Sequence, residues 1–213
     1  MPKEEKEDDG KKVREESKRE NKILMITLIV IGIIIVAGIV YFISAGREQT
    51  SFNYEGINFT VEKIGNLTFY DTATLATSAA GTPFGFRIRT NPNKLKNVPF
   101  YGSENFNFTT FNLYKFDNGT FSCKGYGAIS IANLYRTITE MGMQFVNDQN
   151  ATCDSQGKYN FFLLKYGNET QVKQIGYNCY ELEIKGNDSE CEILPATEKL
   201  MVDMYAKYIN LSR

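Results

Sequence analysis

Residues 23–45 read I-L-M-I-T-L-I-V-I-G-I-I-I-V-A-G-I-V-Y-F-I-S-A, and none of them carries a charge. At 1.5 Å of rise per helical residue the run reaches about 35 Å, enough to cross a bilayer core with some tilt. A helix inside a globular core is seldom apolar on every face over this length. A cleaved secretory signal would need a shorter apolar centre and small residues before the cut, and Ser44-Ala45-Gly46 is the nearest approach to one. The run therefore reads as a permanent transmembrane helix at 23–45. It divides the chain into a tail, residues 1–22, and an exported part, residues 46–213.

Charge on the flanks sets the expected orientation, because lysine and arginine close to a span resist translocation. Lys11, Lys12, Arg14, Lys18, Arg19 and Lys22 precede the run, and only Arg47 closely follows it. The tail should face the cytoplasm and the C-terminal domain should lie outside the cell membrane. Eight acidic residues interleave with eight basic ones in the tail, which cancels most of a lipid-binding field. With Val13 as its one large aliphatic residue, the tail has too little apolar area to fold alone.

Two further patterns point to the same side. Sequons, Asn-X-Ser/Thr with X not proline, can be glycosylated only after translocation, and they occur at Asn58, Asn66, Asn107, Asn118, Asn150, Asn168, Asn187 and Asn210. Several sit in turn chemistry, such as Gly65-Asn66 and Gly167-Asn168. All four cysteines, Cys123, Cys153, Cys179 and Cys191, also lie beyond the span, and an even count in an exported domain reads as two disulfides. A four-cysteine zinc site is the rival, but the chain has neither a Cys-x-x-Cys knuckle nor a histidine.

The exported part has the length of one domain. Ser51 to Ile64 alternates apolar with polar residues, Asn66 to Tyr70 is a short apolar piece, and Phe84 to Arg89 alternates again. Residues 71–83 read as a loop, and Asp117-Asn118-Gly119 predicts a hairpin between strands at 106–116 and 120–123. From Ala128 to Phe145 the period becomes helical, with Ile131, Leu134, Tyr135, Ile138, Met141 and Phe145 on one stripe and Gly142 as a weak point. Strands are expected at 159–165, 171–175 and 179–185. A closing helix follows from Ala196 to Ile209, with Pro195 in its first turn and Leu200, Met201, Met204, Tyr205 and Tyr208 facing inward. The fold class is α+β: one transmembrane helix, then a mixed or antiparallel sheet domain with two helices packed on one sheet face. If strands 159–165 and 179–185 pair antiparallel, Cys153 falls opposite Cys191, leaving Cys123 for Cys179.

Without histidine there is no Ser-His-Asp or Cys-His arrangement and no imidazole base. Phosphate-binding glycine loops and calcium loops are absent too. With 24 basic and 25 acidic residues, the chain has no basic surplus for nucleic acid. No cofactor or metal is implied. Asp71, Glu140, Glu181, Glu183 and Asp203 are the carboxylates from which a glycosidase-like pair could be drawn. Arg87 and Arg89 project from one face of their strand, either to grip an anion or to sit beside acids on a solvated face. The expected partners are the lipid bilayer, through residues 23–45, and an envelope protein or glycan. The leading reading is a binding or structural module. The alternatives are an extracytoplasmic hydrolase or transferase using paired carboxylates, and a thiol-disulfide redox protein.

Several short motifs carry a resemblance: Phe52, Tyr54, Gly56, Ile57 and Phe59 early in the domain, Phe69-Tyr70, Arg89-Thr90-Asn91-Pro92 with Val98-Pro99, then Thr152-Cys153-Asp154, Asn178-Cys179, and Asp203 with Tyr205. In these the chain resembles a group of uncharacterised single-span membrane proteins of small-genome archaea. The resemblance implies an archaeal envelope location with N-glycosylation on the outer face, and it implies no activity. Two charged positions of the group's corner are Asn91 and Asn93 here, so a ligand those charges served would be lost. Pro92 restricts Asn91 to extended geometry, which reads the corner as a strand end with Arg89 as a clamp.

Overall fold

The computed structural model describes residues 25–39, 41, 51–117, 122–187 and 190–211. The chain divides into two units, Met1–Gln49 and Thr50–Arg213. In the first, residues 25–39 form helix α1, and every one of them is exposed. Among the described residues no helix is long and apolar enough to cross a membrane. Apart from Tyr41, the remainder of the anticipated span, with the tail before it, lies outside the described residues.

The second unit opens with an antiparallel sheet. β1 (Ser51–Tyr54) turns at Glu55 and Gly56, both at positive φ, into β2 (Ile57–Ile64), with Tyr54 opposite Ile57. The long alternating run is thus a two-residue hairpin and not one strand. β3 (Leu67–Thr72) follows, and β6 (Arg87–Ile88) completes the order β1-β2-β3-β6. The expected loop at 71–83 holds the end of β3 and a small ribbon of β4 (Ala76–Thr77) with β5 (Pro83–Phe84). One helical turn, α2 (Pro92–Leu95), is capped by Asn91, whose side chain accepts from the Asn93 amide.

The second sheet is mixed. Its strands are β7 (Phe100–Tyr101), β8 (Phe111–Phe116), β9 (Gln144–Asn147), β10 (Asn160–Gly167), β11 (Gln171–Gly176), β12 (Cys179–Asn187) and β13 (Glu190–Cys191). They lie in the order β7-β11-β12-β10-β8-β9, with β13 beside β12. Both neighbours of β8 run parallel to it, so among the described residues β8 has no hairpin partner, and Cys123–Gly125 is a 3-10 turn. The Asn118-Gly119 turn itself lies outside the described residues.

The anticipated disulfide pairing is corrected by the strand directions. β10 and β12 run parallel, Phe161 opposite Cys179, and the antiparallel partner of β12 is β11. The segment leading into β10 therefore lies beside the start of β12, which brings Cys153 to Cys179. The far end of β12 returns through β13, where Cys191 meets Cys123. The Cα separations are 5.6 and 5.5 Å, within the normal span of a disulfide.

Helix α3 (Tyr126–Glu140) stops earlier than its stripe suggested. Gly142 takes φ 84 just beyond it, in a place where a Cβ would stand 2.7 Å from that of Ala79. Phe145 consequently lies on β9, its ring 4.4 Å from that of Tyr114. Helix α4 (Ile193–Leu211) starts earlier than expected, and Pro195 still falls in its first turn.

α4 does not rest on one face of one sheet. Residues 196–202 are all buried, Glu198 and Lys199 among them. A helix enclosed all round needs a partner for each polar group it carries. Thr197 bonds back to the Ile193 carbonyl at 2.8 Å. Glu198 accepts the main-chain amides of Arg89 and Thr90, both at 2.8 Å, at the exit of β6. Tyr205 donates to the Phe84 carbonyl at 2.7 Å and accepts the Ala76 amide at 2.8 Å. Toward the larger sheet, α4 meets β11 and β12. There Tyr180 stacks with Phe162 and lies edge-on to Phe100.

Two outcomes follow from this enclosure. Glu198→Ala leaves two buried amides without acceptors and is expected to lower unfolding free energy by about 2–4 kcal/mol, with Glu198→Gln losing less, as read by urea denaturation. Tyr180 is fully buried, and burial pushes its phenol from 10.0 up to about 12. A native value above the unfolded one contributes stability that is complete below pH 10 and lost as pH rises towards about 12. Denaturation curves across that window should lose about 3 kcal/mol through this group, in step with tyrosinate absorbance.

Candidate functional site

Three elements of the second unit enclose a cavity of about 420 Å³: the β1–β2 turn, the 3-10 turn Ser103–Asn105, and α4. Lys199, Asp203 and Lys207 stand at i, i+4 and i+8 on α4, so one helical face carries all three into the wall. Glu55 comes from the hairpin turn and Glu104 from the 3-10 turn. Phe100, Phe106 and Met204 supply apolar wall.

On the α4 wall is a largely covered ion pair, with side-chain exposures of 11% for Lys199 and 15% for Asp203. Lys199 Nζ donates to Asp203 Oδ1 at 2.9 Å and to the Tyr54 hydroxyl at 3.2 Å. Burial pulls the ammonium towards neutrality, but the charge and hydrogen bond of Asp203, with the bond to Tyr54, outweigh it, and the Lys199 pKa lies above its ordinary value. Burial raises the Asp203 carboxyl against the pull of Lys199, and it raises the Tyr54 phenol likewise. A lysine held charged is not a nucleophile, and a phenol held protonated is not a base. The trio forms one connected hydrogen-bonding network on the cavity wall.

The residues singled out in the sequence fall elsewhere. Arg87 grips Asp71 through two bonds, 2.6 and 2.9 Å, meets Glu62 as well, and lies over the Phe69 ring. Its Nε and one terminal nitrogen are engaged on the exposed face of the first sheet. Arg89 lies 5.5 Å from the centre of Phe69 and 5.6 Å from that of Tyr126, and its amide is one of the two bound by Glu198. A separate groove of about 480 Å³ borders the corner, lined by Thr90, Lys94, Val98, Lys185 and Glu192, and neither arginine lines it.

Of the carboxylates, Glu181 is paired with Lys165 at 3.0 Å and with Lys173 at 2.7 Å. Glu183 takes Gln171 Nε2 at 2.7 Å and the Asn168 amide at 3.1 Å, and the Gln171 bond foremost holds its carboxyl below the usual range. Glu181 and Glu183 share the Lys173 ammonium. Glu140 is half-buried at the end of α3. Among the candidates only Asp203 reaches the cavity. Lys199, Glu55, Glu104 and Lys207 were not singled out from sequence, although the Lys-x-x-x-Asp-x-x-x-Lys spacing in a helix was there to be read.

Seven sequon asparagines, Asn58, Asn66, Asn107, Asn150, Asn168, Asn187 and Asn210, are exposed. Asn118 lies outside the described residues. Among the described residues the buried asparagines, Asn112, Asn160 and Asn178, all stand outside sequons. Asn107 donates to Asn178 Oδ1 at 3.3 Å, a bond that a glycan on its amide would disturb.

No family model, no curated protein and no solved structure matches this chain.

The ion pair makes a double-mutant cycle informative. Lys199→Met alone strands a buried carboxylate and is expected to cost about 3 kcal/mol, whereas Lys199→Met with Asp203→Leu should cost less than either single change. A double-variant cost equal to the sum of the two single costs in urea denaturation would show that the two groups are not coupled.

Proposed function

We propose that this is a membrane-anchored, N-glycosylated cell-envelope protein whose exported α+β domain is a binding module. The observation that carries the anchor is α1: an uncharged helix with every described residue exposed. In water each such isoleucine or leucine forgoes about 2 kcal/mol of burial, and a bilayer supplies the missing cover. The basic residues before it orient the domain outward. Two disulfides and seven exposed sequon asparagines support the same side. The resemblance to single-span archaeal envelope proteins agrees with that placement.

Binding is favoured over catalysis by the state of the charged groups. The described carboxylates Asp71, Glu181, Glu183 and Asp203 are each committed to a cation. Redox exchange needs an accessible sulfur beside a cation, and each disulfide has one nearly or fully buried cysteine, Cys123 or Cys179.

The test uses the full-length protein in its native membranes. It should remain in the pellet after an alkaline carbonate wash, lose its C-terminal domain to protease added to intact cells, and carry glycan on several sequons by mass spectrometry, with Asn107 the least occupied. Recovery in the soluble fraction, or protease resistance with bare asparagines, would reverse the assignment.

A further inference from the structure

We infer that the cavity between the β1–β2 turn, the Ser103–Asn105 turn and α4 binds a neutral polyhydroxylated ligand, one saccharide unit of a glycan. This rests on the reading of the exported domain as a binding module, and it names what that module holds. The volume of about 420 Å³ lies within the range of small-ligand sites and admits one sugar ring.

The argument is a count of unspent hydrogen-bonding groups. Lys207 is occupied by the main-chain carbonyls of Glu104 and Phe106, at 3.0 and 2.5 Å. Lys199 has three N–H groups and gives two of them, to Asp203 and Tyr54. Asp203 receives Lys199 on Oδ1, and among the described residues its Oδ2 accepts no hydrogen bond. The cavity therefore presents one ammonium N–H and one carboxylate oxygen from a single ion pair, with Glu55 and Glu104 at its edge.

Charge then excludes the alternatives. A phosphate or carboxylate would meet the carboxylates of Asp203, Glu55 and Glu104, and a bare ammonium has no acceptor for the remaining Lys199 N–H. Among the described residues no group of acids converges to hold a metal ion. A hydroxyl suits both unspent groups at once, because it donates to Asp203 and accepts from Lys199, and neighbouring hydroxyls extend the same pattern to Glu55 and Glu104. The C–H face of the ring has Phe100 and Met204 to pack against.

Glu55 is set at the cavity by the two-residue hairpin turn, whose geometry requires its φ of 52. Its charge also raises the proton affinity of Asp203 and Tyr54, which puts it within electrostatic reach of the ion pair.

The experiment titrates full-length protein, in a detergent without a sugar headgroup, with methyl α-glucopyranoside, methyl α-mannopyranoside and N-acetylglucosamine. The Met204 methyl signal is followed by NMR, and inorganic phosphate and free lysine serve as comparisons. At least one sugar should shift Met204 with a Kd of about 1 mM, the usual scale of weak small-ligand binding. Ser103→Phe, which fills the rim, should raise Kd about tenfold or more, and Glu55→Gln, on the exposed turn, should raise it several-fold with the unfolding midpoint unchanged. Displacement of the sugar by N-glycans released from the same membranes would support the site and mark its source as glycoprotein. Displacement only by cell-surface polysaccharide would support it and mark the wall. The inference is overturned if no sugar shifts Met204 at about 10 mM, if both variants bind unchanged, or if phosphate or lysine shifts Met204 more than any sugar. None of these failures touches the membrane topology, which the protease and glycan measurements decide.

Discussion

A carboxylate taken out of water is costly unless its oxygens are satisfied, and Glu198 is satisfied by two consecutive main-chain amides at the exit of β6. Burial raises its pKa, and the bonds from Arg89 and Thr90 act against that rise. The contact ties the first sheet to a helix more than a hundred residues further along the chain. It also explains why the strand ends where it does: past Ile88 the amides turn away from β3 and towards α4, and Pro92, which has no amide to offer, starts the next turn. The two arginines that draw the eye in this segment are secondary. Their guanidinium groups lie over Phe69, and the clamp is made by backbone.

With α4 held in this way, the rest of the domain can be arranged around it. Helix α3 packs along it, the large sheet meets it with β11 and β12, Tyr54 of the small sheet reaches Lys199, and the Tyr205 hydroxyl accepts the Ala76 amide and donates to the Phe84 carbonyl of the β4–β5 ribbon. Helix enclosure of this kind is usually met by an all-apolar sequence. Here a glutamate, a lysine and a threonine lie inside the buried run, each with a local or distant partner. A register error in the sheets would leave those groups stranded, so the polar contacts penalise wrong packings more than they favour the right one.

Much of the α+β character was legible because the period of the sequence changes where the structure changes. The stripe through Leu134 and Ile138 and the alternation around Leu182 and Ile184 report burial directly. Direction was not legible. A strand alternates in the same way whether its neighbour runs parallel or antiparallel, so nothing in residues 159–185 disclosed that β10 and β12 are parallel, and the cysteine pairing derived from the opposite choice was wrong with it. The end of α3 was marked by Gly142, yet Phe145 extended the apolar spacing past it, because one residue can satisfy a helical stripe and still belong to the next strand.

The cavity was hidden for a related reason. Asp203 stood out chemically only as one of five carboxylates, and Lys199 not at all, since charged residues are seldom placed inside by pattern alone. What brings them in is the second cover over α4, and that depends on the hairpin turn at Glu55 and on the chain after Phe100 meeting on the same helical face. An isolated amphipathic helix would keep Lys199 and Asp203 on its wet side as an ordinary i, i+4 pair contributing a few tenths of a kcal/mol, roughly. Enclosed on both sides, the same pair becomes the polar floor of a hollow, with one donor and one acceptor left unspent. The conversion of a surface pair into a receptor for hydroxyl groups is thus a property of the tertiary arrangement and not of either residue, and it stands or falls with the cover that Glu198 secures.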